Sequence, residues 1–464
     1  MALFWTTGCW PRRVASGDRM KLILCAVRTN IAMETMCPFG GVLSLASVLG
    51  GRGDHQVRVV LPVEYPGFRA DLERELSHCD LLGISCTSYN WHVSRELIDA
   101  ARQANTKLKI VLGGVHASCL PEHCLRSTAA DLVIRNEGEV SFQQVVDVVA
   151  RGGDLGRVAG ITFKDRDGRI LSTPDRPLLT ACELDAMPLP AYERIPPGVY
   201  GYVPFEGSRG CLFDCAFCGV LFRKSHRVIS SSRVEALLRR LRLLKDRFTM
   251  GGVFFTDDSF GTRHRESRAI LEAFAPTGYV LGLESRYHDL LHCELMPAME
   301  RNRFFLIQVG VEAGYQEGVD RVNKRLSLGK VYRFAGEISG RSFSKAVYYS
   351  MTIGLPWEGK KHLFATIDTA FDLAVRSGSP PPMLNNFNPL PNSSIVTRPA
   401  DFGMPGLTPS FWDDGNWFRP FLRFAVVSEE DRRFFASYIA RRRALHPCAH
   451  AISDPEMKPC ESRR

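Results

Sequence analysis

No run in this 464-residue chain approaches the ~18 consecutive apolar residues that a membrane-spanning helix needs, so no membrane span is expected. The first 19 residues carry Arg12 and Arg13 with no apolar segment behind them, which excludes a secretion signal. Residues 1–19 read instead as a loose extension, such as a mis-set start codon would add. Internal repeats and low-complexity tracts are missing, which excludes solenoids and linker-type chains. Charge of one sign is not concentrated either. The net +9 is spread over many segments, and the basic clusters at 239–242 and 441–443 suit solvated helix faces better than a nucleic-acid arm. No nucleic-acid partner is expected. The fourteen cysteines lack the regular spacing of a disulfide scaffold, and the chain is long for one. A reducing compartment, the cytoplasm, fits them.

What is present is an alternation of short apolar runs and helical patterns. Residues 21–27, 56–62, 80–85, 109–114 and 132–135 read as buried strands; 41–49, 69–77, 93–103 and 140–149 read as helices. Such alternation with short connections predicts a parallel sheet covered on both faces. Residues 151–200 read as a connector, with a hairpin over 160–171 and a proline-rich extended stretch over 184–197. From Gly201 a second series begins, with strands expected at 202–208, 252–256, 279–284, 304–310, 346–353 and 383–387. Val234, Leu237, Leu238, Leu241 and Leu244 make one helical face between the first two. Six βα units predict an open, partial barrel whose chemistry gathers at the C-terminal strand ends. Beyond about residue 396 come an aromatic stretch (Phe411, Trp412, Trp417, Phe418, Phe421, Phe424), a helix over 429–445, and a poorly ordered tail from His446. The domains expected are thus 1–19, 20–150, 151–200, 201–395 and 396–464.

Cys211, Cys215 and Cys218 stand in one run, GCLFDCAFCG, at the end of the first barrel strand, and the next cysteine is Cys293. Three clustered thiolates leave one coordination position open. Structural zinc favours two separated ligand pairs, and only His226 offers a fourth ligand nearby. Soft thiolates suit an iron–sulfur cluster.

With Phe217 before its last cysteine, this run resembles the signature of the radical SAM superfamily, and the Asp257-Asp258 pair resembles its cobalamin-binding branch. The resemblance implies a [4Fe–4S] cluster on Cys211, Cys215 and Cys218, with S-adenosylmethionine chelated to the open iron and cleaved to a 5′-deoxyadenosyl radical. The strand ends agree in order. FTDDSF (255–260) stands where the family often has Gly-Gly-Glu; ESR (284–286), VGVEAG (309–314), MTIGLP (351–356) and NPLP (388–391) follow. They imply S-adenosylmethionine contacts from Phe217, Gly219, Asp257, Asp258, Ser285, Arg286, Glu312 and Ile353. A glycine usually follows Pro356 in the family; here it is Trp357.

The N-terminal runs GISCTS (83–88), VLGGVH (111–116) and RNEGE (135–139) resemble the cobalamin-binding domain of that branch. They imply corrin contacts from Ser85, Cys86, Thr87, Ser88, Gly113, Gly114, His116, Glu137 and Gly138. Asn136 replaces a usual glycine, and the Asp-x-His-x-x-Gly motif that supplies a lower-axial histidine elsewhere is absent. Cobalamin without a histidine on cobalt is expected, with His116 not that ligand. A sheet that binds nothing and only docks the barrel is the plainer alternative.

The fold class implied is α/β: a Rossmann-like cobalamin-binding domain, a partial (β/α)₆ radical SAM barrel of TIM type, and a short, mainly helical C-terminal region. The function implied is a cobalamin-dependent methyltransferase acting on an unactivated carbon of a small-molecule, natural-product-like substrate through methylcobalamin and the adenosyl radical, with the aromatic tail covering the substrate. A flavodoxin or ferredoxin would donate electrons. Open alternatives are a rearrangement or cyclisation without methyl transfer, a cobalamin sensor, and a methylthiotransferase whose second cluster would sit on Cys25, Cys37 and Cys79.

Overall fold

The computed structural model describes residues 19–27, 37–50, 55–61, 72, 74–244 and 251–448. The expected extension falls outside these residues apart from Arg19, as does the tail beyond residue 448. Of the helix expected over 69–77, residues 72 and 74–77 are described; 72 and 74–76 are helical and Ser77 lies in a turn.

The N-terminal strands β1 (Lys21–Ala26), β2 (Gln56–Val60), β3 (Leu81–Ser85), β4 (Lys109–Gly113) and β5 (Leu132–Ile134) pair in parallel in the order β2-β1-β3-β4-β5. The strands are apolar on both faces because both are covered. Leu22 and Leu24 pack with the helices Gly40–Gly50 and Gly138–Ala150, while Ile23 and Cys25 point the other way, toward the helix Trp91–Ala104. The expected hairpin is β6 (Ile161–Lys164) and β7 (Ile170–Ser172), and it does not stand apart. β6 runs antiparallel to β5 and extends this sheet to seven strands, because Ile161 and Phe163 bury into the same core.

The proline-rich stretch is less extended than expected. It opens with the helix Ala181–Ala186, held by a capping box in which Thr180 Oγ1 accepts from the Glu183 N–H at 3.2 Å and the Glu183 carboxylate accepts from the Thr180 N–H at 2.7 Å.

The second sheet has six strands, all parallel: β8 (Tyr202–Phe205), β11 (Gly252–Phe255), β12 (Val280–Ser285), β13 (Arg303–Glu312), β14 (Val347–Ile353) and β15 (Met383–Asn386), in that spatial order. A two-stranded ribbon, β9 (Ser208–Arg209) with β10 (Arg227–Val228), brackets the cysteine run. At the N-terminal ends an aromatic floor closes the interior, with the Tyr202 and Phe305 rings stacked at 3.7 Å between centroids. Gly282 makes room for it, since a Cβ there would lie 2.7 Å from the Phe254 ring.

The aromatic tail does not cover a substrate space as expected. Trp412 and Trp417 are buried against the N-terminal domain. Trp417 Nε1 donates to Ser88 O at 3.3 Å, Trp412 Nε1 to Pro389 O at 2.9 Å, and Tyr89 stacks on Trp417 at 5.2 Å. Indole rings find both apolar cover and a carbonyl there. The tail is a strap between the two sheets. The helix Glu429–Ala444 then packs Phe435 and Ile439 against Phe371 of the helix Lys360–Ser377.

Candidate active site

The carboxyl ends of both sheets face one cavity of about 690 Å³. From the N-terminal sheet it is lined by Ser85, Thr87, Ser88, Gly113, Gly114, Glu137 and Gly138; from the barrel side by Phe217, Cys218, Gly219, Thr256, Asp258 and Leu390. Open α/β sheets bind ligands beyond their carboxyl strand ends, and here two such ends share one space.

On the N-terminal side the wall is shaped by glycine. Gly114 has φ +88°, and a Cβ there would sit 2.6 Å from the Cys86 carbonyl oxygen. Gly113 has open space where a side chain would be. Thr87 Oγ1 is buried without a partner, a polar atom ready for a ligand. Asn136 has φ +62°, which explains why glycine is usual at this position and why asparagine, tolerant of the left-handed region, can replace it.

Two expected corrin contacts are not brought to the cavity. Cys86 is fully buried behind the wall, where burial pushes its thiol up to about 12. His116 is fully buried too: its Nδ1 pairs with Ser88 Oγ at 3.0 Å, its ring stacks on Trp91, and desolvation lowers its pKa to about 3. It braces the Ser88 loop from behind. Glu137 lines the cavity, but its carboxylate is engaged, accepting from the Leu179 N–H at 2.6 Å and pairing with Arg209 at 3.0 Å and Arg227 at 2.6 Å.

The cysteine run is pinned at several points. Gly210 turns into it with φ +89°, and its N–H donates to Asp258 Oδ2 at 3.1 Å. Cys211 N–H donates to Phe222 O at 3.0 Å and Ala216 N–H to Val322 O at 2.8 Å. Asn392 Nδ2 holds Gly219 O at 3.0 Å. Burial raises the Cys211 and Cys218 thiols, Cys218 to about 11, with neighbouring thiols adding to both. Coordination by a cationic metal would reverse that cost by removing the protons. Among the described residues no three His, Cys, Asp or Glu side chains could hold one metal ion. A cubane differs because each thiolate bonds its own iron.

The barrel interior is acidic. Asp258 reaches the cavity, and burial beside Glu206 raises it to about 6. Glu284 is raised to about 7 by burial, with Glu312 and Asp258 adding. Glu312, at φ +76°, is paired with buried Lys324 at 2.7 Å and accepts from Thr352 Oγ1 at 3.0 Å. This interior suits a ligand carrying an ammonium or a sulfonium. Glu206 was not singled out in the sequence, and Glu284 stood there only as the first residue of the run 284–286. Their signal was the alternation along β12 and along β8 carried one residue past Phe205, which turns every second side chain inward.

Other expected contacts are committed elsewhere. Asp257 faces away from the cavity, accepting from Gly207 N–H at 2.9 Å and Ser208 Oγ at 2.5 Å. Ser285 Oγ donates to Phe260 O at 2.6 Å. Arg286 lies 3.6 Å over the Phe213 ring and donates to Lys324 O. The Ile353 side chain is core, and its carbonyl accepts from Phe387 N–H at 2.8 Å. Trp357, the departure after Pro356, is held by Tyr315 OH at 2.9 Å and by Arg321 over its ring.

The proposed second cysteine set does not assemble. Cys25 pairs with Ile84 across β1 and β3, five residues along from Cys79. That is roughly 16 Å at ~3.3 Å per strand residue. Cys79 Sγ donates to Leu81 O at 3.0 Å instead.

A family model for the B12 binding domain matches residues 35–146. The chain is 25% identical over 369 residues to an uncharacterized methyltransferase of Pyrococcus horikoshii, covering 77% of this chain and 79% of that protein. It is 24% identical to the anaerobic magnesium-protoporphyrin IX monomethyl ester cyclase of Rubrivivax gelatinosus, covering 54% of this chain but 46% of that one. The fold matches the radical S-adenosylmethionine methyltransferase TsrM of Kitasatospora setae, solved with cobalamin and a [4Fe–4S] cluster. The TM-score is 0.63 at 13% identity, over 81% of this chain and 73% of that one. The fold and site thus define a B12-binding α/β domain joined to a radical SAM barrel. The chain thus contains a B12 binding domain and shares its fold with cobalamin-dependent radical SAM enzymes. The cofactors of that class are cobalamin, S-adenosylmethionine and a [4Fe–4S] cluster, and the glycine wall, the orphaned Thr87 hydroxyl, the pinned thiols and the acidic interior fit them.

Proposed function

We propose that the protein methylates a carbon of a small-molecule substrate. One observation carries the reading: Gly113 and Gly114 of the first sheet line the same cavity as Cys218 and Gly219 of the cysteine run. When bound, the cofactors supply the radical and the methyl group that side chains cannot. The residues do the rest. Cys211, Cys215 and Cys218 hold the cluster, and Asp258, Glu284 and Glu312 favour the cationic end of S-adenosylmethionine. The Gly113–Gly114 wall admits a flat macrocycle at backbone distance. The Trp412 and Trp417 strap holds the two walls together. His116 lies behind the wall, which supports cobalamin without a histidine on cobalt. A small electron-transfer protein would reduce the cluster, in a reducing cytoplasm.

The test is anaerobic incubation of the loaded enzyme with methyl-labelled S-adenosylmethionine and candidate substrates. Expected are 5′-deoxyadenosine and S-adenosylhomocysteine together, and a product heavier by one methylene unit. The cyclase relative supports a second reading, rearrangement or cyclisation. A product of unchanged or oxidised mass, with no label incorporated, would establish that one instead.

A further inference from the structure

Between the two sheets, on the wall of the cavity itself, lies an ionic cluster that the proposed chemistry does not use. Arg209 stands two residues before Cys211. Its guanidinium meets Glu206 at 2.8 Å, Glu137 at 3.0 Å and Glu139 at 2.9 Å. Arg227 joins at Glu137, and Ser44 donates to Glu139 at 3.4 Å. The Arg209, Glu137 and Glu139 side chains are only 14%, 4% and 8% exposed, so these are not the screened surface pairs that contribute little. Burial alone would lower the Arg209 pKa, but Glu139 and Glu206 outweigh it and raise it above the ordinary arginine value.

The placement matters more than the strength. Glu137 and Glu139 flank Gly138, which lines the cavity from the corrin side. Arg209 leads into the cysteine run from the other side. Apolar residues could seal such a seam with equal or greater stability. What a planar guanidinium adds is orientation, because three carboxylates engage its fork in fixed directions. We propose that Arg209 is a positioning residue: it clamps the Glu137–Glu139 turn of the B12-binding domain to the strand entering the cysteine run, and so sets the spacing of the two cofactors. The inference rests on the two-cofactor reading above. A lysine reaches one carboxylate at a time and would leave the spacing loose.

The test compares Arg209→Lys and Glu139→Gln with the wild type, all in the full holoenzyme. Iron and cobalamin contents should match the wild type. The distance distribution between cob(II)alamin and the reduced cluster, read by pulsed paramagnetic resonance, should broaden in both variants. The ratio of 5′-deoxyadenosine to methylated product should rise about tenfold, since small misplacements of reacting groups carry large penalties. Unchanged distances and an unchanged product ratio in loaded variants would overturn the proposal. So would a parallel fall of both products, which marks simple loss of fold. If Arg209→Lys does not fold, Glu139→Gln, which keeps the side-chain volume, carries the same expectation.

A wild type that binds neither cofactor refutes the functional reading instead. The clamp is then read by amide hydrogen exchange, in which segments 137–140 and 205–211 should open together in the wild type and separately in the variants. Separate opening in the wild type would overturn the clamp on its own.

Discussion

Two adjacent glycines on the cavity wall should behave oppositely when a methyl group is added. At Gly114 the backbone has φ +88° and ψ −179°. That region is nearly restricted to glycine and costs another residue about 1–3 kcal/mol. The new Cβ would also lie 2.6 Å from Cys86 O and 3.0 Å from Cys86 N, which are backbone atoms of the next loop and cannot rotate aside. With relief of that contact included, Gly114→Ala should cost about 3 kcal/mol, roughly a hundredfold in the folding equilibrium. Gly113, one residue earlier, has nothing within 4 Å of the equivalent position, and its missing side chain opens on the cavity. Gly113→Ala should leave stability within about 0.5 kcal/mol of the wild type, while a methyl group enters the space assigned to the corrin. Urea unfolding of the unloaded protein reads the first effect, and cobalamin titration followed by absorbance reads the second. Gly114→Ala unfolding like the wild type, or Gly113→Ala binding cobalamin as well as the wild type, would refute the account of this wall.

Cys218→Ser should lower iron from about four atoms per chain to near zero after reconstitution, whereas Cys182→Ser, at an exposed thiol, should not change it. Lys324→Met leaves Glu312 as a buried unpaired carboxylate and should cost about 3–5 kcal/mol in denaturant unfolding; adding Glu312→Gln should recover part of the loss. Asp257 and Glu358 are both pushed up to about 7, chiefly by burial. Between about pH 4 and 7 the fold therefore holds protons that the unfolded chain has released, so stability should fall as pH rises through that window. Asp257→Asn should flatten its share of the slope, and an unchanged pH profile in that variant would contradict the raised value.

The strands were legible because each is a short apolar run ending in polar residues. Residues 252–256 and 383–387, for example, became Gly252–Phe255 and Met383–Asn386. The cysteine run was legible because its spacing is local. What stayed hidden depends on partners distant in sequence. The carboxylate pair Asp257-Asp258 looks like one motif, yet Ser208 and Gly207 draw Asp257 inward while Asp258 faces the cavity. Nothing in the run RNEGE announces that Glu137 and Glu139 would meet an arginine about seventy residues away. The aromatic tail was misplaced for a related reason. Aromatic residues announce burial but not the surface that buries them, and Trp417 found Ser88 and Tyr89.

Because two separate sheets present their carboxyl ends to one space, this chain is two scaffolds with a single shared face. Asn388 donates to the Tyr89 hydroxyl at 3.3 Å across 299 residues of sequence. Paired substitutions at such loop positions should therefore show strong epistasis, while paired substitutions in the two separate cores should add. A mutational landscape of the protein would then divide along function rather than along the chain: two nearly independent stability maps joined by one dense block of interacting loop residues.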